Sequence, residues 1–220
     1  MKKVFTFVLA MAISITVPTQ TMAVTASQMD GKMQPSEQNI EQIIENITLT
    51  PHPINSDTIQ NVKEYIIRYF DDLGYDDMEC QKFEYNDENN ENAIRRSSQA
   101  EIFLAPTAEN AVVDGTGENI IVTKKSSTDT LKNLIISAHY DSAEDSEGAN
   151  DNGSGVAAVL ELARILKDAE MPYNIKFIMF SGEEKYMLGS RWYVGNLTED
   201  ERNQIIGVIN IDTIAEKSDL

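Results

Sequence analysis

Cysteine is nearly absent from this chain of 220 residues: Cys80 is the only one. No internal disulfide can form, so any persistence in an oxidising compartment has to come from packing. Cys80 itself reads as a small buried or half-buried apolar residue. Basic residues are also scarce. Eighteen Lys and Arg stand against 36 Asp and Glu, a formal net charge of −18, which argues against nucleic acid and anionic membrane as partners. The same excess suits a soluble exported protein, or one that holds cations. Long apolar runs are missing too, apart from one at the N-terminus. There, MKKVFTFVLAMAISITVPTQTMA has Lys2 and Lys3, an apolar core from Val4 to Val17 and small residues near Ala23. That layout is a secretory signal peptide, and its apolar core is short for a membrane span. Residues 1–23 are assigned to this signal, with a short membrane anchor as the lesser alternative. Cleavage would remove two lysines and take the charge from −18 to about −20. The expectation is a bacterial-type secreted protein that touches no membrane once the signal is gone.

Residues 24–35 read as a polar linker and residues 36–220 as one domain. From Ser36 the periodicity is helical, with Ile40, Ile43, Ile44 and Ile47 on one face. The prolines of TPHPIN then break the chain. A second helix, capped by Ser56, turns Ile59, Val62, Ile66, Phe70 and Leu73 inward and meets Gly74 at its end. Strands are predicted at QKFEY, AEIFLAP and ENIIVTKK, and the polar stretch 86–99 is an exposed loop with no site assigned. LKNLIISAHYDS contains a buried strand around Leu134–Ile136, followed by a helix from about Ser154 to Lys167. NIKFIMF is a strand, Leu188–Asn196 a helix and IIGVINI a strand. Strands alternating with helices predict an α/β fold. Its sheet is mixed, mostly parallel and covered on both faces, a three-layer sandwich.

The chemically capable residues gather at the ends of those strands. His139 and Asp141 follow LIISA, Glu183 and Glu184 follow FIMFSG, and Asp212 follows GVIN. In open α/β sheets the C-terminal strand edges border the ligand crevice. A fourth contribution is Asp151 in GANDNGSG, among glycines that permit tight turns and close approach. One imidazole and at least four carboxylates would repel one another without cations, and one or two divalent metals would resolve that. Imidazole with carboxylates suits zinc best, with manganese or cobalt as competitors. Asp141 is placed to accept the ring N–H of His139 and fix its tautomer. Adjacent side chains at a strand end diverge, so Glu183 and Glu184 can divide the work. Glu184 binds metal, while Glu183 stays free to take a proton from a metal-activated water. The competing reading is that both merely open the next helix at the positive end of its dipole.

In this order AHYDS, GANDNGSGVAAVLELARIL, FSGEE, GSRWYV and NID resemble the co-catalytic zinc exopeptidases of the aminopeptidase Y family, from about Thr50 onward. The resemblance implies a secreted zinc aminopeptidase acting on peptides with a free N-terminus. In it His139 and Asp212 hold one Zn2+, Asp151 bridges two, Glu184 helps hold the second and Glu183 is the general base. It also implies a cis peptide at Asp151–Asn152. Two departures stand out. The family's last ligand is a histidine well beyond the final aspartate, whereas the only other histidine here, His52, lies between two prolines and reads as structural. On this reading the catalytic domain lacks its C-terminal part, its second metal site is one ligand short, and activity is low or absent. The other departure is Tyr186-Met187, where relatives often carry Gly-Leu. Two rivals stay open: a glutaminyl cyclase-like acyltransferase using one zinc, and a non-catalytic remnant or metal-binding scaffold. Three Asn-x-Ser/Thr triplets, at Asn46, Asn152 and Asn196, are read as coincidence, and Trp192 with Tyr193 as core rather than substrate platform.

Overall fold

A computed structural model describes residues 34–86 and 113–215. The signal segment, most of the linker, the strand expected at AEIFLAP and nearly all of the loop at 86–99 lie outside the described residues. Within them the order is α1 (Glu37–Ile47), α2 (Asp57–Asp72), β1 (Met78–Tyr85), β2 (Gly115–Lys124), β3 (Asn133–His139), a tight turn (Ala149–Ser154), α3 (Gly155–Leu166), β4 (Asn174–Phe180), α4 (Leu188–Asn196), α5 (Glu199–Gln204) and β5 (Ile205–Asn210). The sheet runs β1-β2-β4-β3-β5. β2 is antiparallel to β1 and β4, while β3 is parallel to β4 and β5. Four strands therefore share one direction and β2 alone opposes them.

The expected helix caps are present. Ser36 Oγ accepts from Asn39 N–H at 3.1 Å and Ser56 Oγ from Ile59 N–H at 3.2 Å, each satisfying an amide with no partner inside the helix. Gly74 closes α2 at φ +75°, a conformation open to glycine without steric cost. One face of the sheet carries the main core. Ile40, Ile43 and Ile47 of α1, Ile59, Val62, Ile66 and Phe70 of α2, and Val156, Val159 and Leu160 of α3 pack on Val122, Leu134, Ile136, Ile175 and Phe177. α3 is enclosed almost all round, and its one acid, Glu161, is buried but fully satisfied. It accepts from Ser36 N–H at 2.7 Å, Asn39 Nδ2 at 2.6 Å and Arg164 Nε at 2.9 Å, which ties the start of α1 to α3. The opposite face is covered more thinly, by Tyr193 and the half-buried Trp192 of α4, the latter stacked on Phe83.

One reading needs correction and one element was missed. Cys80 is exposed, because it lies on the uncovered first half of edge strand β1. The short helix α5 was not anticipated, although Thr198-x-x-Glu201 forms a complete capping box ahead of it.

The register sets up the site. His139 pairs with Phe180, and Ser137 with Asn210, so β3, β4 and β5 end at one edge of the sheet. Residues just past those strands are delivered to the same place.

Candidate metal centre and active site

His139 ends β3 with its side chain only 2% exposed. Nδ1 lies 3.1 Å from the Asp141 carbonyl oxygen, so a hydrogen on Nδ1 is donated there and Nε2 faces outward. Around Nε2 stand Asp151 Oδ1 at 3.1 Å, Asp212 Oδ1 at 3.7 Å and Glu183 Oε2 at 4.0 Å. Donor atoms of His139, Asp151 and Asp212 all lie within 4.8 Å of one another, which makes these three a group able to hold a metal ion. An imidazole nitrogen with two carboxylate oxygens fits zinc, and three protein ligands match a site that keeps an open position. Burial alone would lower the His139 pKa. The charge of the nearby Asp141 carboxylate, with the charges of Glu183 and Asp212, overcomes burial and raises it to about 9. Without metal, a proton on this ring is the local cation.

The carboxylate of Asp141 does something other than expected. Its Oδ1 is 3.6 Å from His139 Nδ1, outside hydrogen-bond range, and the backbone carbonyl orients the ring instead. The fully buried carboxylate accepts from the consecutive backbone amides of Glu183, at 3.1 Å, and Glu184, at 3.2 Å. Asp141 thus reaches from the end of β3 to hold the turn after β4. That turn is shaped by Gly182 at φ +75° and by buried Asn119 of β2. Asn119 Oδ1 accepts from Ser181 N–H at 3.2 Å, and its Nδ2 donates to Gly189 O at 2.9 Å. A Cβ on Gly189 would sit 2.2 Å from Asn119 Oδ1, so only glycine allows this approach.

Glu183 and Glu184 cap no helix. α4 begins only at Leu188 and has no side-chain cap, so the helix-opening reading is set aside. Burial raises the pKa of both. For Glu183 the largest charge effect then comes from His139, and for Glu184 from Asp151, so the two acids face different neighbours. Glu184 stands outside the three-residue donor group.

Asp151 rides in the Ala149–Ser154 turn, entered through Gly148 at φ +68°, and the Asp151–Asn152 peptide is cis as the resemblance implied. Asp212 follows β5, where Asn152, Ser154 and Asn150 of the turn bind the backbone around it. Sequence reasoning missed these three residues and Asn119. Asn119 alone left a trace, as a polar residue beginning the buried run Ile120–Val122. His52 is buried and structural. Its N–H donates to Ser142 Oγ at 2.9 Å, its carbonyl accepts from Ser142 N–H, and its Nδ1 pairs with Thr50 O at 2.9 Å. At the rim, Tyr186 and Met187 are both left-handed, at φ +69° and +55°. The positive φ of Tyr186 carries a steric cost that glycine would not.

A buried imidazole and two carboxylates gathered at the parallel strand ends make a site able to hold a metal ion. The sequence profile of peptidase family M28 matches residues 119–220 of the chain. Aminopeptidase YwaD of Bacillus subtilis is 41% identical over 105 residues, covering 47% of this chain and 23% of that protein. BSAP, a zinc aminopeptidase from Bacillus subtilis, superposes with a TM-score of 0.67 at 19% identity, covering 82% of this chain and 70% of that one. Glutaminyl cyclase of Porphyromonas gingivalis shares the fold at a TM-score of 0.61 and 17% identity, covering 81% of this chain and 59% of that one. The chain spans less than a quarter of the length of the first curated relatives it matches.

Proposed function

We propose that this chain forms the metal-binding and proton-transferring part of an exported zinc aminopeptidase, which releases N-terminal residues from peptides. The observation that carries the reading is the convergence of His139, Asp151 and Asp212 donors, with Glu183 Oε2 4.0 Å from His139 Nε2. Zinc held by the three would supply Lewis-acid polarisation of the scissile carbonyl and a water of lowered pKa. Glu183 takes a proton from the attacking water and returns it to the amine nitrogen as the C–N bond breaks. Its raised pKa suits the first step, since burial makes the carboxylate bind a proton more readily. Asp141 keeps Glu183 in reach by gripping its amide. Glu184, on the Asp151 side, offers a ligand for a second ion, and the surplus negative charge at the open rim suits a substrate α-ammonium group. Export is assigned to the N-terminal signal segment. Among the described residues no helix is long and apolar enough to cross a membrane.

Elemental analysis for zinc, combined with hydrolysis of a panel of aminoacyl chromogenic amides, tests this. Retained zinc is expected, with any cleavage weak and abolished by a chelator; a chain that retains no zinc, or cleavage indifferent to chelators, would overturn the reading. A single-zinc glutaminyl cyclase is the second reading, favoured by the fact that the grouped donors make one site and leave Glu184 outside. An N-terminal glutaminyl peptide separates the two: release of free glutamine marks the peptidase, and cyclisation with loss of ammonia marks the cyclase.

A further inference from the structure

β5 ends at Asn210, and residues 211–215, which carry Asp212, belong to no helix or strand. Ile211 N–H still donates to Ser137 O on β3, at 2.8 Å. Past that rung, four hydrogen bonds fasten the segment to the Ala149–Ser154 turn. Asn152 Nδ2 donates to Ile211 O at 2.9 Å, and Asn152 Oδ1 accepts from Thr213 N–H at 3.3 Å. Ser154 Oγ accepts from Ile214 N–H at 3.1 Å, and Asn150 Oδ1 from Ala215 N–H at 2.9 Å. Asn152 therefore binds the backbone on both sides of Asp212 while being joined in sequence to Asp151. Its side chain is buried, and its oxygen also accepts from Gly155 N–H at 3.0 Å. The fit leaves no slack: a Cβ on Gly155 would fall 2.2 Å from Asn152 Oδ1 and 2.5 Å from Ile211 O.

The carboxylates on either side of this clasp repel each other, and their side chains are 52% and 37% exposed. Like charges on irregular, solvent-facing segments would separate if nothing held their backbones. We infer that Asn152 is a positioning residue for the metal centre, setting the spacing of Asp151 and Asp212 about His139 before an ion arrives. The inference rests on the reading that this cluster holds zinc, and it adds a residue that donates no ligand atom.

The test uses the full chain and compares the parent with Asn152→Ala, Asn150→Ala and the remote core truncation Ile66→Ala. Zinc affinity is read by chelator competition, cobalt(II) geometry by the visible absorption of the substituted protein, and metal-free stability by thermal melting. Groups that orient metal ligands typically contribute about 10–100-fold to affinity. Asn152→Ala is expected to weaken zinc by that factor and alter the cobalt spectrum. Ile66→Ala should lower the melting temperature while leaving both metal readouts unchanged. Asn150→Ala removes the Ala215 rung and a long 3.5 Å contact from Ser154 Oγ, from a partly exposed side chain, so a loss of a few-fold in the same direction is expected. It decides the matter if Asn152→Ala does not fold. Parent-like affinity and spectrum in folded Asn152→Ala, or in Asn150→Ala where the first variant does not fold, would overturn the inference alone. A parent chain that binds neither zinc nor cobalt would overturn the functional reading and this inference together.

Discussion

Where Glu183 and Glu184 stand, a fully buried carboxylate grips two consecutive backbone amides; where Asp151 and Asp212 stand, two irregular segments grip each other through side-chain amides and a hydroxyl. The first region hangs on β3 and β4, each flanked by strands on both sides. The second hangs on β5, the last strand in the sheet order among the described residues, with Ile206 and Val208 exposed. The proposed base is thus anchored on interior strands, and the proposed ligand carboxylates stand on segments tied mainly to each other. Physically this division is sensible. A base must be held within hydrogen-bond reach of a water that binds it only weakly, whereas carboxylates on irregular segments need those segments tied to each other.

If the two regions do separate tasks, removing the charge of Glu183 should damage turnover and spare metal. Glu183→Gln keeps the size of the side chain and deletes the base. Wherever the chain turns over substrate, kcat should fall by about two to four orders of magnitude, with zinc affinity within a few-fold of the parent. Steady-state kinetics alongside chelator competition checks both halves. Equal losses of zinc and kcat would mean Glu183 is a ligand and would erase the distinction.

Asp141→Asn attacks the first region at its anchor. An amide of the same shape can keep only one oxygen acceptor where the carboxylate offers two, leaving a buried backbone N–H facing an N–H donor. Loss of a buried charged acceptor costs about 1.5–3 kcal/mol, read as a lower denaturation midpoint at unchanged slope. Turnover should fall as well, since both glutamates lose their fixed amides. A comparable loss of stability from Asn150→Ala, in the second region, would show that the contrast between the regions has been misjudged.

Much of this was legible in the sequence because strand ends are easy to read. The apolar runs ending in His139, Phe180 and Asn210 fixed three strands, and parallel register does the rest by placing their next residues at a common edge. Helix starts at Ser36 and Ser56 were equally open, since a capping hydroxyl leaves a local mark. What stayed hidden is long-range polar bonding. The Asp141 carboxylate spans 42 residues to reach Glu183, and Asn152 spans 61 to reach Thr213. Neither bond is implied by periodicity, and the short reach from Asp141 to His139 suggested a simpler partner. Cys80 misled because residue type alone says nothing about whether an edge strand is covered.

A final, smaller effect follows from the charges of the first region. The folded pKa of His139 is raised to about 9, and those of Glu183 and Glu184 are raised above their ordinary values. In each case the folded protein holds its proton more tightly than the unfolded chain. The histidine's contribution is therefore complete below its unfolded pKa and is lost as pH climbs through about 9. The glutamates, unlike ion-paired carboxylates, change in the same sense, from their unfolded pKa upward. The unfolded chain thus binds fewer protons across this range, so metal-free stability should decline as pH rises from mildly acidic to about 9. The expected drop in melting temperature is a few degrees, about 2–4 °C for each kcal/mol in a domain of this size. Zinc should reverse the slope, because the ion takes the place of the proton and binds more tightly as the ligands deprotonate. Thermal melts at pH 5, 7 and 9, with and without zinc, read this directly. His139→Ala should remove most of the metal-free slope and all of the reversal. A reversal that persists without the imidazole would place the ion among carboxylates alone, and the cluster around His139 Nε2 would no longer be its seat.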